Sequence, residues 1–94
     1  MPRILDFLFD EENERKITVN GLSVRRVHQL LDNPYLLVPN RKNRRAPFLL
    51  VGRDNGGACM AVPIEGTYDE TLWRPVTAWR CKDRESQLLE DRGI

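Results

Sequence analysis

The chain has 94 residues, 40% of them apolar and 31% charged, with a formal net charge of +1. That length holds one hydrophobic core and no second domain, and the balance is that of a water-soluble globule rather than a disordered or membrane chain. No apolar run approaches the roughly 20 residues of a membrane span, and the acid at Asp6 interrupts the start where a signal peptide would stay apolar. Cys59 and Cys81 form no CxxC pair and are too few for a disulfide framework, so reduced thiols and a cytoplasmic location are expected.

The small net charge hides a segregation. Residues 1–14 carry five acids and one base, residues 15–53 nine bases and one acid, and the remainder eight acids and five bases. Such blocks predict a basic face on an otherwise balanced surface.

In chain order, Ile4–Phe9 reads as a short strand. Asp10, Glu11 and Glu12 then suit a helix start, with Arg15 and Lys16 nearer its C-terminal end, as the helix dipole favours. Asn20-Gly21 stops that helix, because glycine tolerates the left-handed conformation. Ser23 caps a second helix, with Leu22 and Val27 placed as a hydrophobic staple. Its apolar stripe is Val24, Val27, His28 and Leu31, and it ends at Asp32-Asn33-Pro34.

Strand signals follow at Tyr35–Val38, Pro47–Gly52, Ala58–Glu65 and Thr71–Arg80. Asp54-Asn55-Gly56-Gly57 is the clearest hairpin turn. Pro63 must end its strand, bulge or lie at an edge, and a bulge at Pro75 would reverse the facing of later side chains. A last helix opens at Lys82/Asp83 with Leu88 and Leu89 as anchors. The expected fold is α+β: two N-terminal helices packed on one face of a mainly antiparallel sheet of 4–5 strands, with a C-terminal helix, all within one domain spanning 1–94.

Most catalytic chemistries lack their residues. His28 is the only histidine and sits on an apolar stripe, where packing explains it better than general-base work. No metal site can be assembled from one histidine and two separated cysteines, and no phosphate-cradling Gly-Lys-Ser/Thr loop exists. No cofactor is implied. Cations remain: Arg41, Lys42, Arg44 and Arg45 crowd one connection, and arginine offers phosphate oxygens a planar donor fork. On the last strand, strict alternation puts Arg74 and Arg80 on one side and Trp73 and Trp79 on the other. With the tryptophans under the helices, the arginines would mark an uncovered face. Trp79 could instead stack on a nucleotide, as aromatic side chains do in single-strand binders.

The ordered set "FLFDEENERKITVNGLS", "LLDNP", "LLVGRDNGGACMAVPIE" and "WRPVTAWRCKDRE" resembles the small BrnT-like toxins of the RelE/ParE superfamily across nearly the whole chain. The resemblance implies the toxin of a bacterial type II toxin–antitoxin pair. Such a toxin would be a metal-independent endoribonuclease acting on mRNA, ribosome-associated or free, and its partner an antitoxin protein. It also implies a set of cationic residues that match Lys16, Arg53 and Arg80, the candidate catalytic groups; the candidate RNA- and phosphate-binding set, read from the residues themselves, is Arg41, Lys42, Arg44, Arg45, Arg74 and Trp79. The family's basic-His pair at the end of the first helix is replaced by Val19 and Asn20. Alternatives from other classes are a non-catalytic module of the same fold that binds nucleic acid or protein, and a gyrase-inhibitor-like protein. A homo-oligomer is a further partner state left open, and Glu85 is a weaker candidate base than Lys16.

Overall fold

A computed structural model describes residues 2–41 and 45–94. The elements run β1 (Asp6–Phe7), α1 (Glu11–Val19), α2 (Val24–His28), a 3-10 turn (Gln29–Asp32), β2 (Tyr35–Pro39), β3 (Phe48–Arg53), β4 (Cys59–Gly66), β5 (Leu72–Pro75), β6 (Trp79–Arg80) and α3 (Asp83–Asp91). The strands form one mixed sheet in the order β1-β5-β4-β3-β2, with β6 pairing β4 beyond β5. Only β1 against β5 is parallel; the other pairs are antiparallel. The chain is therefore α+β, as its pattern of elements predicts.

Alternation along the central strands divides the core in two. Leu50, Met60, Val62 and Ile64 face α1 and α2, where they meet Ile17, Leu22, Val27 and Leu30. Val51 and Ala61 face the other way and are covered by Leu89 of α3. This corrects the expectation of a sheet covered on one face only: a single apolar turn of α3 is enough to shield the second face at its centre.

The N-terminal helices follow their sequence signals. Asp10 accepts the Asn13 N–H at 2.9 Å while the Asn13 side chain accepts the Asp10 N–H at 2.9 Å, a reciprocal cap. Gly21 takes φ of 79°, where a Cβ would be strained. Asn13 also does more than cap. It is fully buried, and its side-chain amide donates to the carbonyls of Leu8 and Pro75 at 3.0 and 2.9 Å. The Leu8 N–H already donates to the Trp73 carbonyl, so Asn13 extends the β1–β5 ladder past the end of β1. His28 is not packed away as expected: it is exposed, and its Nε2 lies 3.0 Å from Asp6.

The segment expected as one strand over Thr71–Arg80 is two. Pro75 pairs with Ile64 and Trp79 with Ala61, so four steps on one side oppose three on the other. The extra residue sits opposite Pro63, whose carbonyl accepts the Val76 N–H at 2.9 Å. Pro63 can thus lie inside a central strand because its missing N–H faces the irregular stretch, where no regular ladder needs it. One residue inserted in a strand reverses every side chain after it. Trp73 accordingly joins the α1–α2 core, edge-on to Phe48 at 5.7 Å between ring centroids, whereas Trp79 faces α3.

The same register decides the cysteines. Met60 opposes Arg80 and Ala61 opposes Trp79, which places Cys59 opposite Cys81. Their Cα atoms are 5.3 Å apart and the sulfurs are bonded. The expectation of reduced thiols is therefore corrected. With the two cysteines 22 positions apart, nothing short of the β4–β6 register reveals the pairing.

Candidate functional site

The cations singled out by sequence do not converge. Cross-strand neighbours share a sheet face, so Arg53, opposite Cys59, lies on the α3 face. Arg80, opposite the core residue Met60, lies on the α1–α2 face. The two guanidinium groups leave the sheet on opposite sides. Arg53 is spent on backbone, donating to the Gly57 carbonyl at 3.2 Å and the Ile94 oxygen at 3.3 Å. Arg80 is exposed at the end of β6.

Lys16 projects from α1, 3.4 Å from Glu12 one turn earlier. One turn later Asn20 stands where the resemblance expects histidine. Its amide donates to the Ala78 carbonyl at 2.7 Å and to the Thr77 hydroxyl at 3.3 Å, tying the end of α1 to the chain just before Arg80. Asn20 therefore lies beside the chain leading into Arg80, while the Lys16 ammonium turns back toward Glu12 and Arg53 lies on the far side of the sheet.

The remaining basic candidates divide differently. Arg74 is not on an open face. Its side chain is 12% exposed and clamps Asp10 through Nε at 2.6 Å and a second nitrogen at 3.1 Å. Its third nitrogen reaches Glu65 at 3.0 Å. Arg45 completes this network, 2.9 Å from Glu65 and 3.6 Å from Glu12. The Arg74 guanidinium, bonded to Asp10, holds that carboxyl below the usual aspartate range. Arg41 is exposed at the turn after β2, while Lys42 and Arg44 lie outside the described residues. Sequence reasoning could not separate network cations from free ones, because their acidic partners come from positions 10, 12 and 65.

What the fold does build is a groove between α3 and the second face of the sheet, with a volume of about 470 Å³. Its apolar floor comes from Val38, Leu49, Pro63, Val76 and Leu88, and Trp79 forms one end. Lys82 and Arg84, both exposed, stand on the rim with Asn40. Glu85 organises the Trp79 end. Its carboxylate accepts the indole N–H at 3.1 Å and the Lys82 backbone N–H at 2.8 Å, which also fixes the first turn of α3. The Lys82 ammonium stands 5.7 Å from the Trp79 ring centroid, within cation–π range. Glu85 is thus a buried structural acceptor rather than a free base, and Trp79 packs against the core on the α3 side while closing one end of the groove. The groove escaped sequence reasoning because it exists only once the irregular stretch after Pro75 turns Trp79 toward α3.

Among the described residues no cluster of three His, Cys, Asp or Glu side chains could hold a metal ion, and no helix is long and apolar enough to cross a membrane. A scan against protein-family models and a search of curated proteins found no match for this chain.

Proposed function

We propose that this chain is a toxin-like binding module of the BrnT-like kind within the RelE/ParE superfamily. Its groove beside α3 would receive an amphipathic, acidic segment of a cognate antitoxin. The supporting observation is the chemistry of that groove: an apolar floor from five side chains beneath a rim bearing Lys82 and Arg84. An apolar floor rewards buried aliphatic side chains, and rim cations speed the approach of an acidic partner more than they set its affinity. RNA is less well served there, since the Trp79 indole N–H is held by Glu85 and Lys82 stands over the ring.

A phosphate clamp also requires donors about 3 Å from one developing oxyanion. Arg53 and Arg80 leave opposite faces of the sheet, which favours binding over cleavage. The test is titration of the protein with the product of the adjacent gene by calorimetry. Leu88→Glu should weaken binding at least about tenfold, or roughly 1.4 kcal/mol. Arg84→Glu should mainly slow association and reduce its salt dependence. Absence of binding, or binding indifferent to Leu88→Glu, overturns the reading.

A second reading is the metal-independent endoribonuclease. It is favoured by the bonds from Asn20 to Thr77 and Ala78, which anchor the end of α1 beside the chain leading into Arg80. In this reading inducible expression arrests growth, the adjacent gene relieves it, and purified protein cuts RNA in the presence of a chelator. Arg80→Ala should then lower the cleavage rate by about 100-fold or more, the scale of losing one donor to developing charge. RNA that stays intact but binds, with a salt slope near −0.7 per neutralised phosphate, rules out cleavage. Growth arrest with unaltered transcripts would point to a gyrase-type target.

A further inference from the structure

We propose that β2 is a self-pairing edge, by which two copies of this chain join antiparallel about a twofold axis through Leu37. β2 is the last strand of the sheet order and, among the described residues, has no strand beyond it. Two turn bonds fix which of its backbone groups are unused. The Asn40 N–H donates to the Pro47 carbonyl, and the Asp54 N–H to the Ala58 carbonyl. In an antiparallel ladder, bonded and non-bonded pairs alternate. Counting back from Asn40, Val38 and Leu36 bond to β3, opposite Leu49 and Val51. Counting back from Asp54 gives the same phase, since Gly52 and Leu50 then bond to β4. Tyr35, Leu37 and Pro39 therefore turn their backbone groups outward.

A trough of about 340 Å³ runs along that flank, lined by Tyr35, Leu36, Leu37 and Val38, with Leu88 and Arg92 of α3 and the N-terminal Pro2 on its wall. Successive strand residues point to opposite faces, so a cavity touching all four wraps around the edge rather than lying on one face. Proteins ordinarily blunt such edges with charges, prolines or bulges. β2, Tyr-Leu-Leu-Val-Pro, carries no charge, and its one proline, Pro39, stands at the strand's end and leaves the Tyr35 and Leu37 N–H groups in place.

The charges at its two ends identify the occupant. Exposed Asp32 precedes the strand and exposed Arg41 follows it. Antiparallel pairing of two copies sets the acidic end of each strand beside the basic end of the other; parallel pairing would set like against like. Centred on Leu37, the two copies exchange both Leu37 backbone bonds, and each Tyr35 N–H meets the Pro39 carbonyl of the second copy. On the α3 face Leu36 then packs against Val38 of that copy. This contact uses the same patch on both copies and closes at a dimer.

Sedimentation velocity of the intact chain over a concentration series tests this. The expected result is reversible doubling of the 11.0 kDa mass. Leu37→Pro removes the central outward N–H without touching a β3 bond and should give a folded monomer. Arg41→Glu should raise the dissociation constant about tenfold, and Asp32→Arg with Arg41→Glu should restore it. A monomer at every concentration overturns the proposal, and so does a dimer that neither Leu37→Pro nor Arg41→Glu weakens. If Leu37→Pro fails to fold, the charge exchange decides alone.

Discussion

Replacing Arg74 with methionine is expected to lower the unfolding free energy by about 3 kcal/mol, the low end for breaking a buried ion pair. Arg74 is 12% exposed and Glu65 19%, so neither is free to recover full hydration when its partner is lost. Asp10 is more open, at 42%, which trims the penalty. Three consequences combine. Asp10 loses a bidentate partner, Glu65 loses an arginine, and among the described residues the carboxylates of Asp10, Glu12 and Glu65 keep Arg45 and Lys16 as their cationic neighbours. Methionine keeps much of the aliphatic stem, so the loss reports charge rather than packing. Urea denaturation at neutral pH reads the effect directly. A cost below about 0.5 kcal/mol would class the network with ordinary surface ion pairs.

The same variant should alter the acid limb of stability. Arg74, bonded to Asp10, lowers that carboxyl in the folded state below its ordinary value of 3.8. A depressed carboxyl contributes stability that is present above its unfolded pKa and is lost as pH falls through the folded one. The stability gap between wild type and Arg74→Met should therefore be widest at neutral pH and narrow below pH 3.8. Asp54 provides an internal reference. Burial raises its pKa, but the Arg26 guanidinium and the amides of Ala58 and Gly56 outweigh that and leave it lowered. Arg74→Met does not touch Asp54, so its share of the acid transition should remain.

These cases show why much of the fold could be read in the sequence and most of the candidate site could not. Caps and turns are written locally: Asp10 with Asn13, Asn20-Gly21, Ser23 and the Asp54–Gly57 turn act within a few residues of themselves. In the hairpin turn Gly57 takes the positive φ, at 87°, while Asp54 shapes the rest of the turn by accepting the Gly56 and Ala58 N–H groups through its carboxylate. The facing of side chains after Pro75 depends on one inserted residue, whose position is set by Pro63 on another strand. From that single step follow the orientation of Trp79, the divergence of Arg53 from Arg80, the cysteine pairing and the groove. Arg74 and Arg45 read as phosphate ligands because their acidic partners sit on other elements: Asp10 is 64 positions from Arg74, and Glu65 is 9 from Arg74 and 20 from Arg45.

Opening the Cys59–Cys81 bond is expected to cost about 3 kcal/mol, the scale for closing a loop of this length in the unfolded chain. The consequence should be local as well as global. β6 has only two residues, and the Cys81 N–H donates to the Cys59 carbonyl at 3.0 Å, so the bond secures a strand too short to hold itself. Immediately beyond Cys81 come Lys82 and Glu85, which position the Trp79 ring. The two tryptophans allow the local effect to be isolated: Trp73 lies against Phe48 on the opposite sheet face, so a Trp73→Phe background leaves Trp79 as the sole indole reporter. In that background, dithiothreitol or the Cys59→Ser/Cys81→Ser pair should shift Trp79 emission to the red and lower the urea midpoint together. Thiol titration before reduction must find both cysteines unreactive. Two reactive thiols in the folded, unreduced protein would show that the bond does not form. An unchanged emission with a lowered midpoint would confine its role to the unfolded chain and leave the groove indifferent to it.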